Sequence, residues 1–467
     1  MRGGPVVDET SLRGELERVL ADEPPLGTLV GRSLRAGRMR RRRRRVGVAA
    51  LCAVAAAVVI AVPTLLTSAS RPAPAAPAAV AARTAYVVVG TDTVLPVSLA
   101  TNKVGTPING LADGVPTRDY LSLAASSPDG RTVYEIGTEL STKDASGIVV
   151  PIDTTTRRAD RPITLSFPCP PGSRVPLSSC PVYLNDIVID PDGKTGYVSF
   201  DKGVFPINLA RKTAGKPIAM SCECRVMAFA PDRKTLYVVD PFPIASGQPP
   251  RYQAAIVTPI RTATNTALAP IKLPVAMHSL GMGFLSDVAI TPNGMTAYVV
   301  DGRGGSPYEN FVFPIDLAAN KALAPVRLKA RGLATRLVIS PGGGTAYVVS
   351  ARAVTPINTA TNTAGPPINI PDRDGLAYDI ALTPNGKTIY VLTPRGVIPI
   401  RTASRTVLPM IAIPDVENPS FDPFVITPDG RAVWVATNAG ILPISTPTNT
   451  AGSLIKVGAP GSIAFAR

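Results

Sequence analysis

From residue 84 onward the chain alternates short apolar runs with polar turns, and it does so in cycles. The clearest cycle is "YDIALTPNGKTIYVLTPRGVIPIRTASRTVLPMIAI", residues 378–413. Here "DIALT" and "TIYVLT" are rich in β-branched and aromatic side chains and flank "PNG", a hairpin-type turn. "VIPI" follows, then a Thr/Ala/Ser turn, then a last apolar run. The cycle predicts four strands per unit. Turns of the PDG type begin at Pro128, Pro191, Pro231, Pro292, Pro341, Pro384 and Pro428, which makes seven. Apolar runs built on a proline begin at Pro96, Pro151, Pro206, Pro259, Pro314, Pro356, Pro399 and Pro443, which makes eight.

The mismatch of one has a structural reading. The first unit starts at its second strand, "TAYVVVG" (84–90), and the chain ends in "GSIAFAR", which resembles a lone first strand. Pairing these two ends would close a ring of four-stranded units, the signature of a β-propeller, and leave no open sheet edge. The expected fold is all-β, a propeller of eight blades, or seven if one unit is degenerate. The Thr/Asn turns, as in "NTATNT" (358–363), suit Asn in a left-handed conformation. The recurrent proline is expected at the first residue of the third strand, because proline cannot donate to a sheet ladder.

These residues carry a resemblance. "KTIYVLT", "GTAYVVS" and "AVWVATNAGILPISTPTNTAG" resemble the units of the YVTN family of β-propeller repeats, over about residues 84–467. The resemblance implies the propeller fold and a surface or exported location. A related lactonase-like propeller family includes enzymes. The recurrent proline departs from the family pattern, and the full tetrapeptide is nearly absent, "WVATN" being nearest.

Before residue 84 the pattern changes. Residues 46–66, "VGVAALCAVAAAVVIAVPTLL", are uncharged, and 21 residues make a helix of about 31 Å, enough to cross a bilayer core. The arginine run "RMRRRRRR" (38–45) stands directly before them and predicts an N-terminus retained in the cytoplasm. Residues 1–45 also hold "SLRGELERVLAD", with Leu12, Leu16, Val19 and Leu20 on one helical face. That face suits the membrane surface or a cytoplasmic regulatory partner. The 45-residue lead favours an uncleaved anchor over a signal peptide. Residues 67–83 read as a Pro/Ala-rich stalk. The expected organisation is therefore a cytoplasmic segment (1–45), a single transmembrane helix (46–66), a stalk (67–83) and an extracytoplasmic propeller (84–467) at the plasma membrane.

Charge refines this picture. The formal net charge is +15, from 48 Lys and Arg against 33 Asp and Glu. Residues 1–45 contribute 12 arginines and 6 acids, leaving 36 bases and 27 acids for the rest. No basic stripe interleaved with aromatics is visible there, which argues against nucleic acid.

Candidate chemistry lies where one blade's outer strand passes to the next blade's inner strand. Five residues before each PDG-type proline stand Leu123, Asp186, Val226, Asp287, Arg336, Asp379 and Pro423, with Ser462 in the equivalent place at the end. Asp186, Asp287, Arg336 and Asp379 would ring the channel mouth and could bind a polar ligand or one divalent cation. Cys169, Cys180, Cys222 and Cys224 lie in two such connections and suit disulfides in an exported domain, with the pairing open. A soft-metal alternative would use His278, Met277 and Met282, with Met220 and Met227 nearby. His278 is the only histidine and no GxSxG motif accompanies it, which disfavours a Ser-His-Asp or Cys-His enzyme. The expected function is non-catalytic binding or sensing of a protein, glycan or envelope component, without a cofactor. The alternative is a metal-dependent hydrolase or lactonase using the aspartate ring.

Overall fold

The computed structural model describes residues 84–466, apart from segments 91–92, 109–118, 141–144, 167–183, 221–223, 241–243, 246–250, 253–255, 275–282, 304–309, 372–376 and 414–423 and positions 225, 331 and 333. The arginine run, the apolar segment 46–66 and the stalk lie outside the described residues. Among the described residues, no helix is long and apolar enough to cross a membrane.

The chain forms an eight-bladed propeller of four-stranded blades. Blade 6 shows the unit: Ala334–Ile339, Thr345–Ser350 and Ala353–Asn358 pair antiparallel in sequence order. Its fourth strand is broken into Thr363–Ala364 and Ile368–Asn369, both paired to the third. Blades 2 to 8 share this plan, and blade 4 adds a small hairpin, Ile244–Ala245 with Arg251–Tyr252. In blade 1 the terminal strand Pro460–Ala466 pairs with Thr84–Val89, which pairs with Thr93–Ser98. Bridges from Val94 to Ile108 and Val97 to Val104 stand in for its outer edge. The first and last strands of the propeller thus pair and close the ring, as the repeat count predicts.

The broken outer strand explains the proline. Pro356 is the fourth residue of its strand, not the first. In an antiparallel pair the N–H and C=O of one residue point to the same neighbour. The Pro356 carbonyl accepts the Gly365 N–H at 2.8 Å, so its missing donor also faces the outer strand. The outer strand therefore skips three residues there. Pro96, Pro151, Pro206, Pro259, Pro314, Pro399 and Pro443 accept in the same way. Proline sits mid-strand because the ladder is already interrupted opposite it.

The core is divided into eight seams, one between each pair of neighbouring blades. Each middle strand is covered on both faces, so strands such as Thr345–Ser350 are buried at every residue after the first. Burying each Val or Ile contributes roughly 1.5–3 kcal/mol before conformational costs. The seam between blades 8 and 1 holds Trp434 against Phe465, with ring centroids 6.1 Å apart.

The two ends of the ring differ. The turns between strands 1 and 2 and between strands 3 and 4 are short, regular and fully described. In the second kind, the residue before the outer strand is left-handed in every blade: Asn102, Arg157, Lys212, Asn265, Asn320, Asn362, Arg405 and Asn449 have φ between 48° and 56°. All the longer connections leave from the opposite end, including 109–118, 167–183, 241–255, 275–282 and 414–423.

Candidate functional site

Each inner strand enters from the loop end, and several are bulged just before the aligned ring position. Register shifts fall between Leu184 and Asp186, Leu285 and Asp287, and Ala334 and Arg336. A bulge re-aims the next side chain. Asp186, Asp287, Arg336 and Asp379 oppose Ser199, Val300, Val349 and Leu392 respectively, which are equivalent places in blades 3, 5, 6 and 7. The four positions are therefore equivalent in register from blade to blade. Val226 opposes Val239 in blade 4 and Ser462 opposes Val88 in blade 1. Leu123 opposes Ile136 in blade 2, and Pro423 lies outside the described residues.

The aspartates bind backbone. Asp186 is buried, and its Oδ2 accepts the Met227 N–H of blade 4 at 2.9 Å. Asp287 is buried, and its Oδ2 accepts the Leu337 N–H of blade 6 at 2.9 Å while Oδ1 accepts its own Val288 N–H at 3.0 Å. In both cases the donor is the residue after the next blade's ring position. These carboxyls clasp neighbouring inner strands. Asp379 accepts the Ile380 N–H at 2.7 Å, and its Oδ1 stands 3.8 Å from Arg336 Nε. Arg336 also donates from a terminal nitrogen to the Thr335 carbonyl at 3.1 Å.

Arg336 thus lies electrostatically between two buried acids. Burial pushes the Asp287 carboxyl up to about 7, against the pull of Arg336 and the Leu337 N–H, with Asp379 adding to the rise. Burial likewise pushes Asp379 up to about 6, with Arg336 and the Ile380 N–H pulling it back. The charge of this group therefore changes between about pH 6 and 7. Among the described residues, no group of three or more His, Cys, Asp and Glu could hold a metal ion.

Of the cysteines, only Cys224 is described; it is fully buried in the seam between blades 3 and 4. Its carbonyl accepts the Asn185 amide at 3.2 Å. Cys169, Cys180 and Cys222 lie outside the described residues, as do Met277, His278 and Met282. Met227 is part of the same apolar seam and Met220 packs against it, so those two thioethers serve as core.

Sequence reasoning missed Glu135. It is wholly buried in the second strand of blade 2, and neither carboxyl oxygen has a hydrogen-bond partner among the described residues. Burial alone raises its pKa well above the ordinary glutamate value. It lies on the same strand face as Val133, which packs in the seam with Val88 and Ala464. The buried Ser462 hydroxyl, on the Ala464 face of the closing strand, also has no partner among the described residues. The signal was available: aligned second strands carry valine at this position in the other seven blades, from Val87 to Val435.

No protein-family model matches the chain, and no curated protein matches it. Solved structures do. The chain is similar to hydrazine synthase of Kuenenia stuttgartiensis at 18% identity, over 71% of this chain and 96% of that one, with a TM-score of 0.48. It is also similar to the dihydro-heme d1 dehydrogenase NirN in complex with DHE, at 14% identity over 85% and 78% of the two chains, with a TM-score of 0.57. At these identities the likeness concerns the fold alone, and the second supports the propeller architecture.

Proposed function

We propose that the protein is a non-catalytic binding or sensing module of the YVTN-like propeller type, held outside the plasma membrane by residues 46–66, with residues 1–45 in the cytoplasm. The observation that carries this reading is the division of labour between the two ends of the ring. Every long connection leaves one end, and their length and varied sequence suit recognition of a protein, glycan or envelope component. Asp186 and Asp287, the groups an enzyme would need at the channel mouth, are engaged with backbone N–H groups of the neighbouring blades. Cys224, buried where two blades meet, suits disulfide pairing among Cys169, Cys180, Cys222 and Cys224 in an exported domain.

Native mass measurement on the intact chain, purified without chelator or reductant, tests the reading. The expected mass lacks the hydrogens of two disulfides and carries no metal. Photo-crosslinking groups placed in 167–183 should capture a ligand from the envelope, whereas one at Thr448, in a turn of the opposite end, should not. Excess mass that chelator removes, together with ester or lactone hydrolysis that it abolishes, would establish the hydrolase instead.

A further inference from the structure

The end of the propeller opposite the loops carries most of its net charge. Its turns between strands 1 and 2 (127–131, 190–194, 230–234, 291–295, 340–344, 383–387, 427–431) and between strands 3 and 4 (98–103, 153–158, 208–213, 261–266, 316–321, 358–363, 401–406, 445–450) hold 15 Lys and Arg against 7 Asp. That is a formal +8. Residues 84–467 hold 34 bases and 27 acids in all, so the remainder has 19 bases and 20 acids and is close to neutral. Each of the 15 bases is exposed. They are densest across blades 2 to 4, with Arg157, Arg158, Arg211, Lys212, Arg233 and Lys234; of these, Lys212 pairs with Asp160.

The seven acids have a different task. Asp129, Asp153, Asp190, Asp192, Asp232, Asp316 and Asp429 each accept a backbone N–H within their own turn. Turn geometry accounts for the acids, whereas the bases are exposed and, among the described residues, are not in ion pairs with these acids. Met295, in a turn of blade 5 on this same end, is 65% exposed, the highest value among the exposed large apolar side chains described.

The chain also arrives at this end. Thr84 pairs with Ser98, where a strand 3–4 turn begins, and with Ala466 at the end of the closing strand. Whatever precedes residue 84 therefore meets the propeller at its basic face. We propose that this face is a docking surface for anionic lipid headgroups, on which the propeller lies with its loop end turned away from the membrane. The inference rests on the anchored reading above and adds an orientation to it. A field of one sign over a broad face attracts an oppositely charged surface within about a Debye length, ~10 Å at 0.1 M salt. An exposed apolar tip such as Met295 suits the headgroup boundary.

Lysine acetylation footprinting of the intact chain in nanodiscs tests it. One set of discs holds phosphatidylcholine and the other adds phosphatidylglycerol. Lys103, Lys194, Lys212, Lys234, Lys321 and Lys387 report the basic face; Lys202, Lys272, Lys329 and Lys456, all exposed toward the loop end, are the internal reference. In phosphatidylglycerol the first set should label about threefold more slowly, recovering in high salt, while the second is unchanged. The combined variant Arg211→Glu, Arg261→Glu, Arg401→Glu and Arg405→Glu should abolish the difference, with an unchanged reference footprint showing that the fold is intact. Equal labelling in both lipids, equal shielding in both, or shielding of the loop-end lysines would overturn the proposal. Loss of the chain from phosphatidylcholine discs on alkaline washing would instead overturn the anchor. The footprint on added phosphatidylglycerol vesicles would then still decide the face.

Discussion

Glu135 occupies a place that a valine fills in every other blade, and among the described residues nothing in the seam answers its carboxyl. Leaving a buried polar group unmatched costs about 1–3 kcal/mol. Glu135→Val should therefore stabilise the propeller by that order, measured as a higher thermal midpoint. The pH dependence has a definite sign. A carboxyl whose folded pKa is raised contributes stability that is whole below its unfolded value and is lost as pH rises through the folded one. Glu135, Asp379 at about 6 and Asp287 at about 7 all act in this direction. The wild-type midpoint should fall between about pH 5 and 8, and Glu135→Val should fall less. A variant less stable than wild type at pH 8 would show that Glu135 has a partner in solution. A repeat read by its consensus hides such a residue, because averaging over blades discards the one that departs.

The turn between strands 3 and 4 joins backbone geometry to contacts between blades. Thr446 donates to the Gly430 carbonyl, tying the two turns of blade 8 together. Asn449 holds the left-handed place, at φ 54°, and its side-chain oxygen accepts the Tyr390 hydroxyl of blade 7 at 2.7 Å. Tyr197 reaches Asn265 across the seam between blades 3 and 4 in the same manner. Asn449→Ala should lose both functions, at about 1–2 kcal/mol for the left-handed conformation and about 1 kcal/mol for the hydrogen bond. Asn449→Gly should lose only the second. Urea unfolding of the two variants separates them, and equal losses would mean that backbone conformation contributes nothing. This element was legible in the sequence because "TATNT" names both the turn and its left-handed residue. The mid-strand place of Pro356 was not legible, because it depends on a break in the neighbouring strand, and alternation along one strand does not record its partner's ladder. The ring register of Asp186, Asp287, Arg336 and Asp379 was legible for the same reason as the turn. Their bonds to adjacent blades were not, since they join residues about 40 to 50 positions apart.

At the scale of the molecule, closure rests on one strand. Pro460–Ala466 supplies the inner strand of blade 1 and faces both neighbouring seams, with Ile463 in the seam to blade 8 and Ala464 in the seam to blade 2. Without it, Thr84–Val89 would become an exposed edge of unpaired backbone groups, and Trp434 would lose Phe465. The other seven sheets would keep their internal ladders, because each blade pairs only with itself. A chain ending at residue 459 should therefore retain strand content in circular dichroism yet unfold at lower temperature and over a broader range than the intact chain. Limited proteolysis should cut it first in blade 1, where the edge opens. Adding the missing segment as a separate peptide should restore the midpoint, since pairing along a preformed edge needs only the strand itself. An unchanged midpoint and cleavage pattern would mean that the seam on either side of blade 1 holds the ring without its last strand. Restoration by a scrambled peptide would mean that backbone pairing suffices and the placement of Ile463 and Ala464 is immaterial.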